Sequence, residues 1–387
     1  MPTKRAALAA LAPMTPPTRS ISRLRLTGFR NYLSAGLDLD PRHVVLVGEN
    51  GAGKTNLLEA VSLLSPGRGL RRAPFDSLGT LGGDGQWAVA ATVETPFGPT
   101  DIGTGSAPDG ATRRVRINGA PARAVDEMSA HIRLLWLTPS MDGLFSGPAS
   151  DRRRFLDRLV TTLIPGHSET VNDFEKAMRQ RNRLLEENGD PLWLNAIEAQ
   201  MAQLASAIHF ARADSLAQLR NQMAESIAET GFPEARLDVT PLFEDGAVPA
   251  AASALEEKLA RAWRDARPRD RAAGRTLLGP HRADLSVTHR AKDMPAALCS
   301  TGEQKALLIG LVLVHARLVT HMSGIVPILL LDEIAAHLDP ARRAALFAAL
   351  DRLGTQCWMT GTDPMLFSAL EDRAQRFSVS AGRLTPL

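Results

Sequence analysis

An eight-residue segment of this chain has the spacing of a phosphate-binding loop, G-x-x-x-x-G-K-[ST]. This phosphate loop consists of Gly48, Glu49, Asn50, Gly51, Ala52, Gly53, Lys54 and Thr55. Its glycines allow backbone N–H groups to curl around the α- and β-phosphates of a nucleoside triphosphate. Lys54 would reach the β- and γ-phosphates, and the Thr55 hydroxyl would ligate Mg²⁺. The alternative is a glycine-rich turn that happens to carry Lys-Thr.

Two adjacent carboxylates, Asp332 and Glu333, follow an apolar run at 325–331. Such a run is typical of a buried parallel strand, and ligands bind at the carboxyl ends of these strands. Beside a phosphate loop, Asp332 would join Thr55 in the Mg²⁺ shell, and Glu333 would orient or deprotonate the attacking water. Lys54, Asp332 and Glu333 are therefore the predicted catalytic residues, and the alternative for the acids is a surface pair at a strand end.

A further anion site is predicted at residues 300–305, which we call the signature segment. Ser300 and Glu303 have the S-x-x-E spacing of a capping box at a helix start. An uncovered helix N-terminus containing Ser300 and Gly302 attracts anions. Many helices begin in this way, so the pattern alone does not identify a ligand.

The elements around these motifs indicate an α/β fold divided by a helical region. Short apolar or alternating runs predict strands at 21–26, 43–47, 87–93, 113–117, 134–137 and 325–331. Helical patterns lie at 56–61, 151–163, 168–187, 191–230 and 251–266. The segment 96–111, rich in Pro, Gly, Thr and Asp, is predicted as a mobile loop. The predicted parts are a disordered tail (1–20), a first head part (21–148), a helical insertion lobe (149–270) and a second head part (271–387).

Composition narrows the class of protein. The chain has 387 residues, a formal net charge of +3, and two cysteines. Two cysteines exclude a disulfide framework and a four-cysteine zinc site, and their scarcity fits a reducing compartment. The sequence contains no apolar run of eighteen residues and no strong signal peptide. We therefore expect a cytoplasmic protein with no membrane partner.

The order of these motifs resembles that of ABC-type ATPases and, within them, the RecF recombination-repair family. The matching segments are 24–32, 51–56, 152–157, 279–285, 300–305 and 332–333, followed by His337-Leu338-Asp339. The resemblance implies an ABC-type head, with a parallel sheet plus antiparallel strands, interrupted by a helical lobe. It implies ATP and Mg²⁺ as cofactors, with Asn56 part of the nucleotide site. Ser300, Gly302 and Glu303 of a second copy would cap the γ-phosphate.

The same resemblance implies an ATP-dependent homodimer that clamps DNA near single-strand gaps. A slow, DNA-stimulated ATP hydrolysis would release the DNA. RecR and RecO would be partners in recombinase loading, replication restart and the SOS response. Two segments depart from related patterns. Pro139-Ser140-Met141-Asp142 replaces the family's Pro-Glu-Asp-Leu, and 359–363 lacks the switch histidine of transporter ATPases, so Thr360 or Thr362 would sense the γ-phosphate.

Clustered arginines are the candidates for contacts with DNA phosphates. They are Arg68, Arg71, Arg72, Arg113, Arg114, Arg152, Arg153 and Arg154. Guanidinium groups suit phosphate oxygens, and without a base-reading motif binding should be salt-sensitive and largely sequence-independent. The alternative for residues 152–154 is internal pairing with Asp151, Asp157 or the glutamates of the helical insertion. Arg282 would either pair with Asp284 or reach the nucleotide of the partner head. His281 fits a core position as well as an interface.

Two other classes of function remain open at this point. An ABC subunit that drives a membrane transporter would need a membrane partner and would not bind DNA. A P-loop kinase acting on a small molecule would need neither the signature segment nor ATP-dependent dimerisation. DNA binding and ATP-dependent dimerisation separate the three hypotheses.

Overall fold

The computed structural model describes residues 19–107, 110 and 112–387, so nearly all of the predicted tail lies outside the described residues. The strands are β1 Ser20–Phe29, β2 Tyr32–Asp38, β3 His43–Val47, β4 Ala88–Glu94, β5 Thr100–Ser106, β6 Arg113–Ile117, β7 Ala120–Pro121, β8 Leu134–Leu137, β9 Ala235–Val239, β10 Leu285–His289, β11 Met294–Pro295, β12 Ile328–Leu331, β13 Cys357–Gly361, β14 Ala374–Ser380 and β15 Arg383–Pro386. The helices are α1 Lys54–Ser62, α2 Ala149–Leu163, α3 His167–Glu186, α4 Pro191–Ser226, α5 Ala252–Ala272, α6 Thr301–Ser323 and α7 Pro340–Leu353.

A mostly parallel sheet positions the predicted chemistry. Its strand order is β15-β14-β3-β13-β12-β8, with only β15 antiparallel to its neighbour. All residues of β3, β8, β12 and β13 are buried, as expected for strands covered on both faces. Because β13 lies between β3 and β12, the carboxyl ends of these three strands meet at one edge. The sheet therefore brings together the phosphate loop after β3 and the two acids after β12.

An antiparallel sheet of order β2-β1-β4-β5-β6-β7 packs over α1 and one face of the parallel sheet. The prediction of a loop at 96–111 is wrong, because Thr100–Ser106 forms β5. This strand pairs with β4 on one side and with β6 on the other, and Thr100, Ile102 and Thr104 are buried. Two-sided pairing satisfies the backbone of a segment whose composition favours turns. Asn118 and Gly119, with φ of 50° and 81°, form the tight turn between β6 and β7.

The helices α3, α4 and α5 share a core around Phe174, Met201 and Trp263, whereas the buried residues of α2 pack in the main core with α6. Two local predictions for this region need correction. Helix α5 continues to Ala272 with Pro268 inside it, whereas the prediction ended at residue 266. The short strand β9 joins β10 and β11 in a separate sheet, whereas no strand was predicted there. The limits of the four predicted parts stay predictions.

Helix α6 is the central helix of the core, and its residues from Gln304 to Ala316 are all buried. Gly310 allows the close approach of a neighbouring loop, since a Cβ there would lie 3.0 Å from the Cβ of Phe232. Among the described residues, α6 is also the one helix that is long and apolar enough to cross a membrane. Its burial between the sheet and the other helices accounts for that apolar character without a membrane.

Candidate nucleotide-binding site

The phosphate loop leaves β3 at Gly48 and enters α1 at Lys54. Two of its glycines have a steric reason to be glycine. A Cβ on Gly48 would lie 2.2 Å from the Val379 carbonyl oxygen, and one on Gly53, where φ is 114°, would lie 2.5 Å from Asn31 Nδ2. The loop therefore has little space for side chains on its inner side, and its backbone can approach a ligand closely.

The Lys54 side chain lies within the phosphate loop. It is buried, and its Nζ donates to the carbonyl oxygens of Gly48 (2.7 Å) and Glu49 (2.9 Å). These bonds hold an ammonium group within the curl of the loop. The arrangement supplies the positive charge that a triphosphate requires at this position.

The predicted metal ligands meet at the sheet edge. The Thr55 hydroxyl lies 3.0 Å from both carboxylate oxygens of Asp332, which is buried. The buried Thr360 hydroxyl, at the end of β13, donates to Asp332 Oδ1 at 2.7 Å. A hydroxyl and a carboxylate form the hard oxygen donor set that Mg²⁺ prefers. The residues present therefore fit Mg²⁺, and Thr55 and Asp332 would be its protein ligands.

Glu333 is placed by its backbone. Its φ of 52° is unusual for a residue with a side chain, and its N–H donates to Thr360 Oγ1 at 2.9 Å. Its carboxylate, in contrast, makes no hydrogen bond within the described part of the chain. Backbone strain of this kind costs about 1–3 kcal/mol and is concentrated at functional sites. The half-buried carboxylate is thus free to accept a hydrogen bond from water, as its predicted role requires.

The Thr360 hydroxyl is already bonded to the Asp332 carboxylate and to the Glu333 N–H, whereas Thr362 is exposed, so we expect Thr362 to be the residue that senses the γ-phosphate. We expect Thr360→Val to weaken Mg²⁺ affinity by about 10- to 100-fold, the usual cost of losing a group that orients a metal ligand. Titration of ATP hydrolysis with Mg²⁺ measures this effect. Thr362→Val is the matched control and should leave the Mg²⁺ dependence unchanged, whatever its effect on the rate. Equal Mg²⁺ dependence in Thr360→Val and the native chain would contradict the assigned role.

The signature segment forms a capped helix start, as predicted. Ser300 is the N-cap of α6; its backbone N–H donates to Glu303 Oε2 at 3.0 Å, and its hydroxyl accepts from the Glu303 N–H. A hydrogen bond from Lys292, together with those from Ser300, lowers the pKa of Glu303 to about 2. Ser300 is exposed. Within the described residues, no hydrogen bond or ion pair joins this segment to the phosphate loop of the same chain.

Two residues of the resemblance, absent from the predicted site, support the phosphate loop directly. The buried Tyr32 hydroxyl donates to the Gly53 carbonyl oxygen at 2.9 Å, and Asn31 Nδ2 donates to the Ala52 carbonyl oxygen at 3.2 Å. Burial raises the pKa of Tyr32. The β1–β2 turn that carries these residues is far from the loop in sequence, so spacing gave no signal for the contact.

The segment after β8, Pro139-Ser140-Met141-Asp142, differs from the family's Pro-Glu-Asp-Leu but has an aspartate one position later. Asp142 Oδ2 lies 3.2 Å from Nζ of Lys305, a buried residue in the first turns of α6. Because β8 is the neighbour of β12, this ion pair connects the signature helix to the strand beside the predicted metal ligands. Ser140 instead hydrogen-bonds Thr138.

The structure separates the candidate arginines by their partners. Arg113 donates to the carbonyl oxygens of Leu63 and Ser65, and burial lowers its pKa to about 10. Arg152 forms two 2.7 Å hydrogen bonds with Asp284, which was the partner predicted for Arg282. The remaining candidates are more available. Arg153 donates to one carbonyl oxygen, Arg154 pairs with Asp151, and Arg71 pairs with Glu59. The exposed Arg68, Arg72 and Arg114 form no hydrogen bond or ion pair through their side chains among the described residues.

Arg158 is a basic residue that the sequence did not single out. It lies over the Trp136 ring at 4.7 Å, and burial, with the nearby Arg72, lowers its pKa to about 9. Its charge has no carboxylate partner within the described residues. His281 is half-buried beside Phe174, at a ring distance of 5.8 Å. Burial lowers the pKa of His281 to about 4, which fits the core alternative.

Comparison with known proteins gives a consistent result along nearly the whole chain. Residues 20–382 match the family model described as the RecF/RecN/SMC N terminal domain. The chain is 56% identical over 368 residues to the DNA replication and repair protein RecF of Rhizobium rhizogenes, which covers 94% of this chain and 98% of that protein. It is also 56% identical over 373 residues to the RecF of Brucella suis, covering 96% of this chain and 97% of that protein.

Solved structures agree on the fold. A structure of the recombination mediator protein RecF-ATPrS in the RecFOR pathway superposes with a TM-score of 0.82 at 22% identity, covering 97% of this chain and all of the other. An Smc head domain from Pyrococcus furiosus has a TM-score of 0.52 at 16% identity, covering 95% of this chain and 96% of the other. At these identities the likeness concerns the fold, which is that of an ABC-type ATPase head carrying a helical insertion.

Proposed function

Because the chain belongs to the RecF family of ABC-type ATPases, we propose that it is an ATP-operated, DNA-binding switch of recombinational repair. The observation that carries the proposal is the convergence of Lys54, Thr55, Asp332, Thr360 and Glu333 at one sheet edge. This is the set of groups that binds a triphosphate, holds Mg²⁺ and presents a carboxylate to water. The family favours this function over the transporter and kinase alternatives.

The placement of the signature segment supports a homodimer. Ser300 and Gly302 lie at an accessible helix start and share no contact with the phosphate loop among the described residues. We propose that this helix start of one copy closes over the γ-phosphate held by the other, where its N–H groups would favour the anion. ATP would then join two heads, and hydrolysis assisted by Glu333 would separate them.

The available arginines support a DNA surface made from two regions. One is the loop after α1, with Arg68, Arg71 and Arg72, and the other is the start of α2, with Arg154. The charges of Arg68 and Arg154 both act on Arg72, which places the two regions near each other. Exposed guanidinium groups are suited to phosphate oxygens. The proposed contacts are therefore the exposed arginines of the set, namely Arg68, Arg72 and Arg114, which form no ion pair among the described residues, and Arg71 and Arg154, which each pair with one carboxylate. Arg113 and Arg152 are instead held by structural partners.

The experiment that tests the proposal is binding of labelled, gapped duplex DNA with and without ATP and Mg²⁺. The Glu333→Gln variant serves to hold the ATP state. We expect tight binding that requires ATP, weakens steeply with added salt, and is lost in Lys54→Met. Lys176→Met is the matched control, because Lys176 is an exposed lysine paired with Asp173 on α3. If no nucleotide state binds DNA while ATP hydrolysis is intact, the proposal fails.

The wider role follows from the family. We propose that the protein acts in the cytoplasm with RecR and RecO, binds DNA near single-strand gaps, and supports recombinase loading, replication restart and the SOS response. Its ATP hydrolysis is proposed to be slow and stimulated by DNA. The absence of a switch histidine in 359–363 supports a slow rate.

A further inference from the structure

A chain of hydrogen bonds joins the surface residue Arg71 to the interior of the phosphate loop. Arg71 Nη1 donates to Asn56 Oδ1. Asn56 Nδ2 donates to Asn31 Oδ1 at 2.7 Å, and Asn31 Nδ2 donates to the Ala52 carbonyl oxygen at 3.2 Å. Three side chains thus connect a candidate DNA contact with a backbone group of the nucleotide site.

The two ends of this chain fix the orientation of both amides. A guanidinium group can only donate hydrogen bonds, and a backbone carbonyl can only accept them, whereas each amide has one donor side and one acceptor side. Arg71 therefore requires Asn56 to present its oxygen outward and its nitrogen to Asn31. Asn31 in turn must present its nitrogen to Ala52. If Arg71 moves away, Asn56 Oδ1 loses its donor, and nothing at that end of the series of hydrogen bonds then fixes the orientation of the two amides.

Arg71 can move away from Glu59 without leaving that buried carboxylate unpaired. The carboxylate of Glu59 is fully buried on α1, and Arg30 holds it with two hydrogen bonds of 2.8 and 2.9 Å. Arg71 is 42% exposed and adds one bond of 3.1 Å to the same carboxylate. Because Arg30 remains, departure of Arg71 avoids the large cost of an unpaired buried carboxylate. The geometry makes Arg30 the permanent partner and Arg71 the exchangeable one.

We propose that a DNA phosphate competes for Arg71 and that Arg71 thereby transmits DNA occupancy to the phosphate loop at Ala52. Arg71 is in this view a positioning residue, since it acts on the nucleotide through Asn56 and Asn31. This inference rests on the proposed function, because it requires DNA to bind at the loop after α1. Arg68, in the same loop, is exposed and has no partner among the described residues, so it would add to DNA affinity without belonging to the chain.

The test is the affinity for a fluorescent ATP analogue with and without saturating duplex DNA. In the native chain, we expect DNA to change the Kd of the analogue by about 5-fold or more, a typical size for coupled sites. In Arg71→Met the ratio of the two Kd values should fall to about 1, even at DNA concentrations that saturate the variant. The matched control, Arg68→Met, should need more DNA for saturation and keep the native ratio.

Asn31→Leu provides a second variant, which breaks the series of hydrogen bonds where it reaches the Ala52 carbonyl oxygen, away from the proposed DNA surface. It should also bring the ratio to about 1 while it still binds DNA. The inference is overturned if DNA binds but leaves the Kd of the native chain unchanged, or if Arg71→Met and Asn31→Leu keep the native ratio. Failure of the native chain to bind DNA in any nucleotide state would instead overturn the proposed function, and this inference with it.

Discussion

Replacing Glu333 with glutamine is expected to slow ATP hydrolysis by about 10²- to 10⁴-fold, the usual contribution of a positioned general base. The amide keeps the size of the side chain but cannot accept the proton of the attacking water. ATP binding should persist, because the proposed ligands of the triphosphate and Mg²⁺, namely Lys54, Thr55 and Asp332, remain in place without the Glu333 carboxylate. Single-turnover hydrolysis and ATP binding, measured separately on the same variant, give the two values.

Glu371→Gln is the matched control for this prediction. Glu371 is an exposed glutamate that, like Glu333, has a positive φ (46° and 52° respectively), although the two residues differ in ψ. The same substitution at this exposed position should leave hydrolysis unchanged. A rate for Glu333→Gln within a factor of two or so of the native rate would show that another group activates the water.

Arg181→Met is expected to lower the free energy of unfolding by about 3–5 kcal/mol, the range for breaking a buried ion pair. Arg181 is fully buried in the helical region, where it bonds Glu198 at 2.9 Å, Asp270 at 2.7 Å and the Trp263 carbonyl oxygen at 2.8 Å. These partners lie on α4 and α5, whereas Arg181 lies on α3. Its removal leaves two buried carboxylates with fewer partners, and urea unfolding measures the loss.

Arg183→Met tests whether this loss is specific to burial. Arg183 is two residues away on the same helix, is exposed, and pairs with Glu187 at 2.8 Å. An exposed pair of this kind contributes about 0.3–0.5 kcal/mol, so the control should be nearly as stable as the native chain. Comparable stability of the two variants would mean that Arg181 is not needed to hold the three helices together.

Local patterns were sufficient for the motifs and for most of the elements that carry them. The strands at 43–47, 113–117 and 134–137 were predicted at their observed limits, and the capping box at Ser300 forms as expected. These features depend on residues close in sequence, where apolar periodicity and side-chain capping act directly. The same local reasoning failed for β5, since the turn-forming residues of that segment are held in a strand by neighbours on both sides.

The sequence by itself determined the phosphate loop, the acids after β12, the capped signature helix and the family. The tertiary structure decided which polar side chains have hydrogen-bond partners within the protein and which remain available to a ligand. Arg113 and Arg71 are alike in sequence as members of basic clusters, yet Arg113 holds two backbone carbonyls and Arg71 ends a hydrogen-bonded chain to the phosphate loop. Thr360 could be assigned to Asp332 only when β13 was placed between β3 and β12. The physical reason is that periodicity and capping act within a few residues, whereas partner choice for a charged or polar side chain is made between segments that only folding brings into contact.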